Sequence, residues 1–194
     1  MAKKRPLRAD AERNREHLLK VAQEVFAAEG LAVPIDEIAR RAGLGVGTLY
    51  RHFPTKQALF LAIVVDRMER LVAEARALAS APDPGEAFFG CLSRMVHEAS
   101  AKKDFMDALS GTREELGRTW AGIAGRYRAA LAVLLERAQA SGAVRRDVSV
   151  IEVHALLMGM FASLEQLGRD AVQARERLLA VLCDGLRPRM VAPG

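Results

Sequence analysis

Along most of the chain, apolar residues recur at steps of three and four, the period of an α-helix with one buried face. Leu18, Val21, Ala22, Val25 and Phe26 form such a stripe, which predicts a helix over residues 9–29 that Gly30 ends. A short helix is expected over 34–42, with Pro34 in its first turn, Asp36 and Glu37 at its positive end, and Ile35, Ile38 and Ala39 facing inward. Gly43-Leu44-Gly45 reads as a tight turn, and residues 46–52 as a third short helix. Phe53-Pro54-Thr55 breaks the pattern, with Thr55 placed to cap a long fourth helix over 56–79. Beyond the break at 80–85, the periodicity predicts helices up to 102, near 105–109, and over 113–140, 150–167 and 171–186. No segment alternates with the period of a strand and carries hairpin turn signals. The expected fold is all-α, with about nine helices: an N-terminal helix-turn-helix domain and a C-terminal helical domain.

Composition agrees with this pattern. Alanine outnumbers the β-branched residues, and the chain of 194 residues is long enough to bury a core without disulfides or metal. Cys91 and Cys183 lie in apolar surroundings with no CxxC partner, so two buried thiols are expected. No signal-length apolar run follows the basic N-terminus and no 18-residue uncharged stretch exists, so a cytoplasmic protein without a membrane span is expected. The charge is uneven. Residues 1–56 carry eleven basic side chains against seven acids, +4 of the chain's total of +5. A basic end on a nearly neutral body points to a polyanionic partner for that end. The expected division is therefore 1–56 as a DNA-binding domain and 57–194 as a ligand-binding and dimerisation domain.

Two short helices joined by a glycine turn inside that basic unit are a helix-turn-helix candidate. Gly43 permits a left-handed backbone at the corner, and Leu44 plugs its inner side. Gly45 and Gly47 keep the start of the third helix slim enough to approach a major groove. Thr48, Tyr50 and His52 offer polar tips, and Lys56 stands at a helix N-terminus, where a phosphate is already favoured.

The run Gly43-Leu44-Gly45-Val46-Gly47-Thr48-Leu49-Tyr50-Arg51-His52-Phe53-Pro54-Thr55-Lys56-Gln57-Ala58-Leu59 resembles the recognition segment of the tetracycline-repressor (TetR) family. Ile38 to Gly43 and Phe26 to Leu31 match as well, so the likeness covers about 45 contiguous residues. The loop from Gly142 to Val148 is similar to one found before the dimerisation helices of many members. The resemblance implies an all-helical homodimer whose heads bind a palindromic double-stranded DNA operator and whose bodies bind a small-molecule effector. By position it implies DNA contacts from Thr48, Tyr50, His52 and Lys56, with Val46, Gly47 and Thr48 facing bases; with so few side chains there, specificity would rest on a thymine-methyl contact by Val46 and on readout by Thr48 or Arg51. Lys3, Lys4 and Arg5 would form an arm towards phosphates or the minor groove. Two positions depart from the family pattern. Val33-Pro34 stands where Ser or Thr usually caps the second helix, and Gly45 opens the recognition helix in place of Ser or Thr.

The last two predicted helices are apolar on more than one face, so both sides need cover. Ile151, His154, Ala155, Met158, Ala162, Leu178 and Leu182 are the expected dimer interface. Bulky side chains elsewhere in the body could fill a core or line a pocket, and the resemblance favours a pocket for an apolar or aromatic effector. Its expected lining is Met68, Phe88, Phe89, Leu92, Met95, Phe105, Met106, Trp120, Ile123, Tyr127, Met158 and Phe161, with Arg94, His97, Asp107 and Arg113 as candidate polar anchors. His97-Glu98 lacks the second histidine of a zinc motif, and no nucleophile elbow or phosphate loop occurs. No catalytic residue, metal or cofactor is expected. The leading reading is a repressor released from DNA by its effector. The alternatives are a helical-bundle enzyme with a vestigial head, or a TetR-like activator without a ligand.

Overall fold

A computed structural model describes residues 4–107, 113–167 and 171–188, with side chains described over 9–98, 121–164, 166–167 and 171–188. These residues form eight α-helices: α1 (Lys4–Glu29), α2 (Ile35–Arg41), α3 (Val46–His52), α4 (Lys56–Ala77), α5 (Pro84–Asp107), α6 (Arg113–Ala140), α7 (Val150–Leu167) and α8 (Ala171–Leu186). A 3₁₀ turn, Leu78–Ser80, follows α4. Two helical expectations change. The break expected at residue 102 is absent, and α5 runs on to Asp107, with neither glycine nor proline between residues 102 and 107. The expected arm is partly helical: Lys4 and Arg5 belong to α1, while Lys3 lies outside the described residues.

The chain divides into two compact units. One comprises Met1–Asp66 and Asp104–Leu116; the other comprises Arg67–Lys103 and Gly117–Gly194. In the first, α1, α2 and α3 pack against one another over a core that includes Leu18, Phe26, Ile38, Leu49, Phe53, Leu59 and Ile63. The turn between α2 and α3 follows from glycine chemistry. Gly43 has φ of 66°, its N–H reaches Arg40 O at 3.1 Å, and the Leu44 N–H reaches Ala39 O at 3.0 Å. This is a Schellman ending, which satisfies the last carbonyls of α2. A Cβ at Gly43 would meet no atom within 4 Å, so only backbone strain opposes a side chain there. Gly43→Ala is expected to destabilise the first unit by about 1 kcal/mol. Chemical denaturation followed on that unit measures the loss.

The second unit is held by caps that the sequence places in register. Asp83 accepts from the Glu86 N–H at 2.9 Å at the start of α5. Ser149 and Glu152 form a reciprocal capping box on α7, with the Ser149 N–H 2.7 Å from the Glu152 carboxylate and the Glu152 N–H 3.3 Å from Ser149 Oγ. Arg137 donates to the carbonyls of Ala79 and Ala81 at 2.5 and 2.9 Å. Gln139 ties the loop before α7 through Arg145 O and Val148 O. Phe88, Leu92, Val96, Leu131, Leu134, Val153 and Leu157 form its core. No helix among the described residues is long and apolar enough to cross a membrane.

Candidate nucleic-acid interface and helical body

The recognition candidate α3 is anchored from below. Leu49 is fully buried and Phe53 nearly so, while Val46, Gly47, Tyr50 and Arg51 are exposed. These four lie at i, i+1, i+4 and i+5, which places them along one outer face of the helix. Thr48 and His52 are half-buried at its flank. The N-cap of the helix is Gly45, in an extended conformation and without a side-chain hydrogen bond, so no side chain caps its first turn. Leu44 is half-buried under the turn, as a plug requires.

The polar tips are not all unoccupied. The Tyr50 hydroxyl is raised above the ordinary phenol range, chiefly by the neighbouring Asp36 carboxylate on α2. His52 is pushed below the usual imidazole range by burial and then by the Arg15 and Arg51 charges. Arg15 itself lies over the Phe53 ring at 5.3 Å. Lys56 is half-buried, and its ammonium donates to Val33 O at 2.9 Å. The Thr55 hydroxyl accepts from the Ala58 N–H at 3.0 Å, the cap expected for α4.

One feature of the unit was not apparent from the helical periods. Arg41 joins two helices by bonding both Glu29 at the end of α1 and Glu37 on α2, and Arg40 grips Glu37 as well. The two guanidinium groups, Arg40 first, hold the Glu37 carboxyl down at about 2. The i,i+3 and i,i+4 members of this cluster are readable from spacing, but Glu29 is twelve positions from Arg41 and carries no local signal. Two of the head's cations are thus committed to holding α2, which leaves Arg51 as the exposed cation on α3.

In the second unit, Met68, Phe88, Leu92, Ile123 and Tyr127 are buried, while Phe89, Met95 and Phe161 are half-buried. The side chains of Phe105, Met106 and Trp120, like those of Asp107 and Arg113, lie outside the described residues. The Tyr127 hydroxyl donates to Cys91 O at 3.3 Å and lies 3.2 Å from Cys91 Sγ. Burial raises that phenol strongly and also raises the thiol. Arg94 and His97 are exposed and meet Glu74 at 2.8 Å and Glu176 at 3.1 Å. Among the described residues, no group of His, Cys, Asp and Glu is arranged to hold a metal.

The outer side of α7 is apolar and open. Ile151 is 71% exposed and Met158 37%, and Ala155 and Ala162 between and beyond them are also exposed. Their spacing of four, three and four residues makes one continuous stripe. His154 is half-buried beside it, as are Leu178 and Leu182 on α8, where Val181 is 70% exposed. Met158, assigned from the sequence to both pocket and interface, belongs to this stripe. Between α7 and α8 runs a groove of about 390 Å³, lined by apolar residues including Leu156, Met160, Val181 and Leu186, together with Arg145.

Comparison with known proteins gives this architecture its family. Residues 18–63 match the bacterial regulatory proteins of the tetR family, and residues 83–188 match the C-terminal domain of SbtR-like transcriptional regulators. The chain is 48% identical to a TetR regulatory protein from Mycobacterium vanbaalenii of known structure, covering 94% of this chain and 100% of that one, with a TM-score of 0.72. A TetR regulator from Streptomyces coelicolor is 34% identical over 90% of this chain and 98% of its own, with a TM-score of 0.71. An HTH-type transcriptional regulator of Staphylococcus aureus is 41% identical over 54 residues, which span 27% of this chain and 29% of that protein. The chain belongs to the TetR family of bacterial transcriptional regulators, with an SbtR-like C-terminal domain.

Proposed function

We propose that the protein is a cytoplasmic homodimeric repressor that binds a palindromic operator through α3 and leaves it when the body takes up an apolar or aromatic small molecule. The observation that carries the reading is the exposed α3 face, where Val46, Gly47, Tyr50 and Arg51 project from a helix anchored by Leu49 and Phe53. A valine and a glycine at the front of that helix suit close approach and contact with a thymine methyl group. Thr48 and Arg51 supply hydrogen bonds to bases or phosphates, and Tyr50 and His52 contact the backbone at the flanks. The N-terminal turn of α4 at Lys56 supplies backbone N–H groups for a phosphate. Lys4 and Arg5, at the start of α1, and Lys3 before them in the sequence add charge towards the adjacent groove.

The division of labour is the head over 1–56 and the sensing and dimerising body over 57–194. The stripe of Ile151, Ala155, Met158 and Ala162, flanked by His154, Leu178 and Leu182, is the dimer surface. Large exposed apolar side chains concentrated on one side of two adjacent helices support it. The effector site is drawn from the bulky residues of α4 to α7 named above, with Met68, Phe88, Leu92, Ile123 and Tyr127 as its wall. An effector releases DNA only if it favours the body conformation that the DNA-bound dimer disfavours. The family matches, both to regulatory domains, support a regulator in place of an enzyme.

The test is retardation of DNA fragments from upstream of the protein's own gene. A salt-sensitive shift on such a fragment, reversed by a compound that raises the protein's melting temperature, is the expected result. Absence of a shift on every fragment contradicts it. An effector that strengthens the shift or raises transcription of the neighbouring gene would instead establish an activator.

A further inference from the structure

We infer that the Lys56 ammonium is a positioning group: it fixes the loop that leads into α2, and so the helix-turn-helix, where the α2 N-terminus has no side-chain cap of its own. The inference rests on the DNA-binding reading of the head for its functional consequence, and on geometry alone for its structural one.

Three segments meet at this ammonium. It donates to Val33 O at 2.9 Å, in the loop between α1 and α2. It lies 6.0 Å from the Phe26 ring centroid, near the end of α1, and 5.7 Å from that of Phe60, one turn further along α4. The two rings meet edge to face, with centroids 5.1 Å apart. A cation over two aromatic faces is attracted by both, and half-burial strengthens the attraction by removing competing water. The lysine stem is therefore turned inward, and one of its three N–H donors is spent on a backbone carbonyl.

Val33 is the residue immediately before the α2 N-cap, Pro34. Proline has no N–H and no side-chain acceptor, and the N-cap makes no side-chain hydrogen bond. Glu37, three residues after the cap, is the position from which a capping box closes. Its carboxylate is instead held by Arg40 and Arg41. The entry to α2 thus depends on the locked φ of Pro34, −62°, and on whatever holds the preceding peptide. Lys56 holds that peptide. Because α2 carries the turn into α3, a looser entry lets the recognition helix drift from the groove.

A direct phosphate contact by the same ammonium makes a different prediction, and salt dependence separates the two. Lys56→Met keeps the stem length and removes the charge and donors. In the free protein, amide hydrogen exchange over residues 30–37 is expected to quicken about tenfold, with α6 to α8 unchanged. Unchanged exchange over 30–37 overturns the inference whether or not DNA is bound. On DNA, affinity is expected to fall about tenfold while the slope of log affinity against log salt holds. A slope reduced by about two per dimer, roughly 0.9 for each lost phosphate contact, would make Lys56 a direct contact and overturn the positioning role. Pro34→Ser in the Lys56→Met background gives α2 a hydroxyl cap and is expected to restore slow exchange over 30–37. Failure of that rescue contradicts the part of the inference that ties Lys56 to the missing cap. Lys56→Arg, which keeps charge and donors, is expected to fold and exchange like the wild type; exchange as fast as in the Met variant overturns the hydrogen-bonding role. If the wild-type protein binds no DNA, the repressor reading fails, and the exchange measurement still decides the role of Lys56 in the head.

Discussion

Gly47→Leu is expected to abolish operator binding, with at least a hundredfold loss of affinity, while the protein stays as stable as the wild type or gains slightly. Gly47 is the second residue of α3 and is exposed. A Cβ built there would meet no atom within 4 Å, so nothing inside the protein resists a side chain. Leucine is the better helix former by up to about 0.8–1 kcal/mol in a helix interior, and somewhat less in a first turn. A melting temperature unchanged or raised by about 1–3 °C is therefore expected. The DNA is then what the leucine has to clash with, because a glycine lets the helix backbone lie close to the base edges. Fluorescence anisotropy on the retarded fragment, beside a thermal melt, separates the two effects. Full affinity in the Gly47→Leu protein would mean that this face of α3 does not enter the groove.

The second large effect concerns the body. Ala155→Arg is expected to convert the dimer to a monomer and to cost at least a hundredfold in operator affinity. Ala155 is exposed in the single chain and stands between Ile151 and Met158 on the open stripe of α7. An arginine there can extend into water in the monomer, so the chain's own core is not disturbed. In a dimer packed on that stripe, the same charge would be buried against apolar groups without a partner. Losing the dimer disconnects the two heads, and the second half-site is no longer bound at high effective concentration. Light scattering after gel filtration reads the change as a fall to the 21.2 kDa of one chain. A variant that keeps the mass of a dimer would place the interface elsewhere.

Much of the architecture is legible in the sequence, for identifiable reasons. The bounds of α3, α6, α7 and α8 are punctuated by glycines, prolines and polar loops, and the structure places those helices at the expected residues. The turn at Gly43 needs a left-handed residue, and glycine is the cheapest choice. The break placed near residue 102 is absent: residues 102–107 hold no glycine or proline, and the helix continues through them. The long-range polar contacts were less legible. Arg41 to Glu29 and Lys56 to Val33 O each join positions far apart in sequence, and the second uses a backbone carbonyl that has no residue identity at all. Periodicity identifies which faces are buried; it does not say which of two polar tips has already found a partner inside the fold. Tyr50 illustrates this, since its hydroxyl was expected to point at DNA and has the Asp36 carboxylate of α2 as its electrostatic neighbour.

The body was legible as a class more than as a site. Met68, Phe88, Leu92, Ile123 and Tyr127 are buried in the second unit, but a Met and aromatic cluster serves a core as readily as a pocket, and the periodicity is the same for both. The exposed stripe on α7 is better defined. Small residues at Ala155 and Ala162 alternate with Ile151 and Met158, which suits close approach of a second helix.

Two such heads, joined by one dimer, are expected to read a palindrome. Footprinting of the wild-type protein on its retarded upstream fragment shows whether they do. The expected result is two protected half-sites related by a two-fold axis, their centres one helical turn of about 10–10.5 base pairs apart or a multiple of it. A single protected half-site, or protection with no symmetry, would contradict the account.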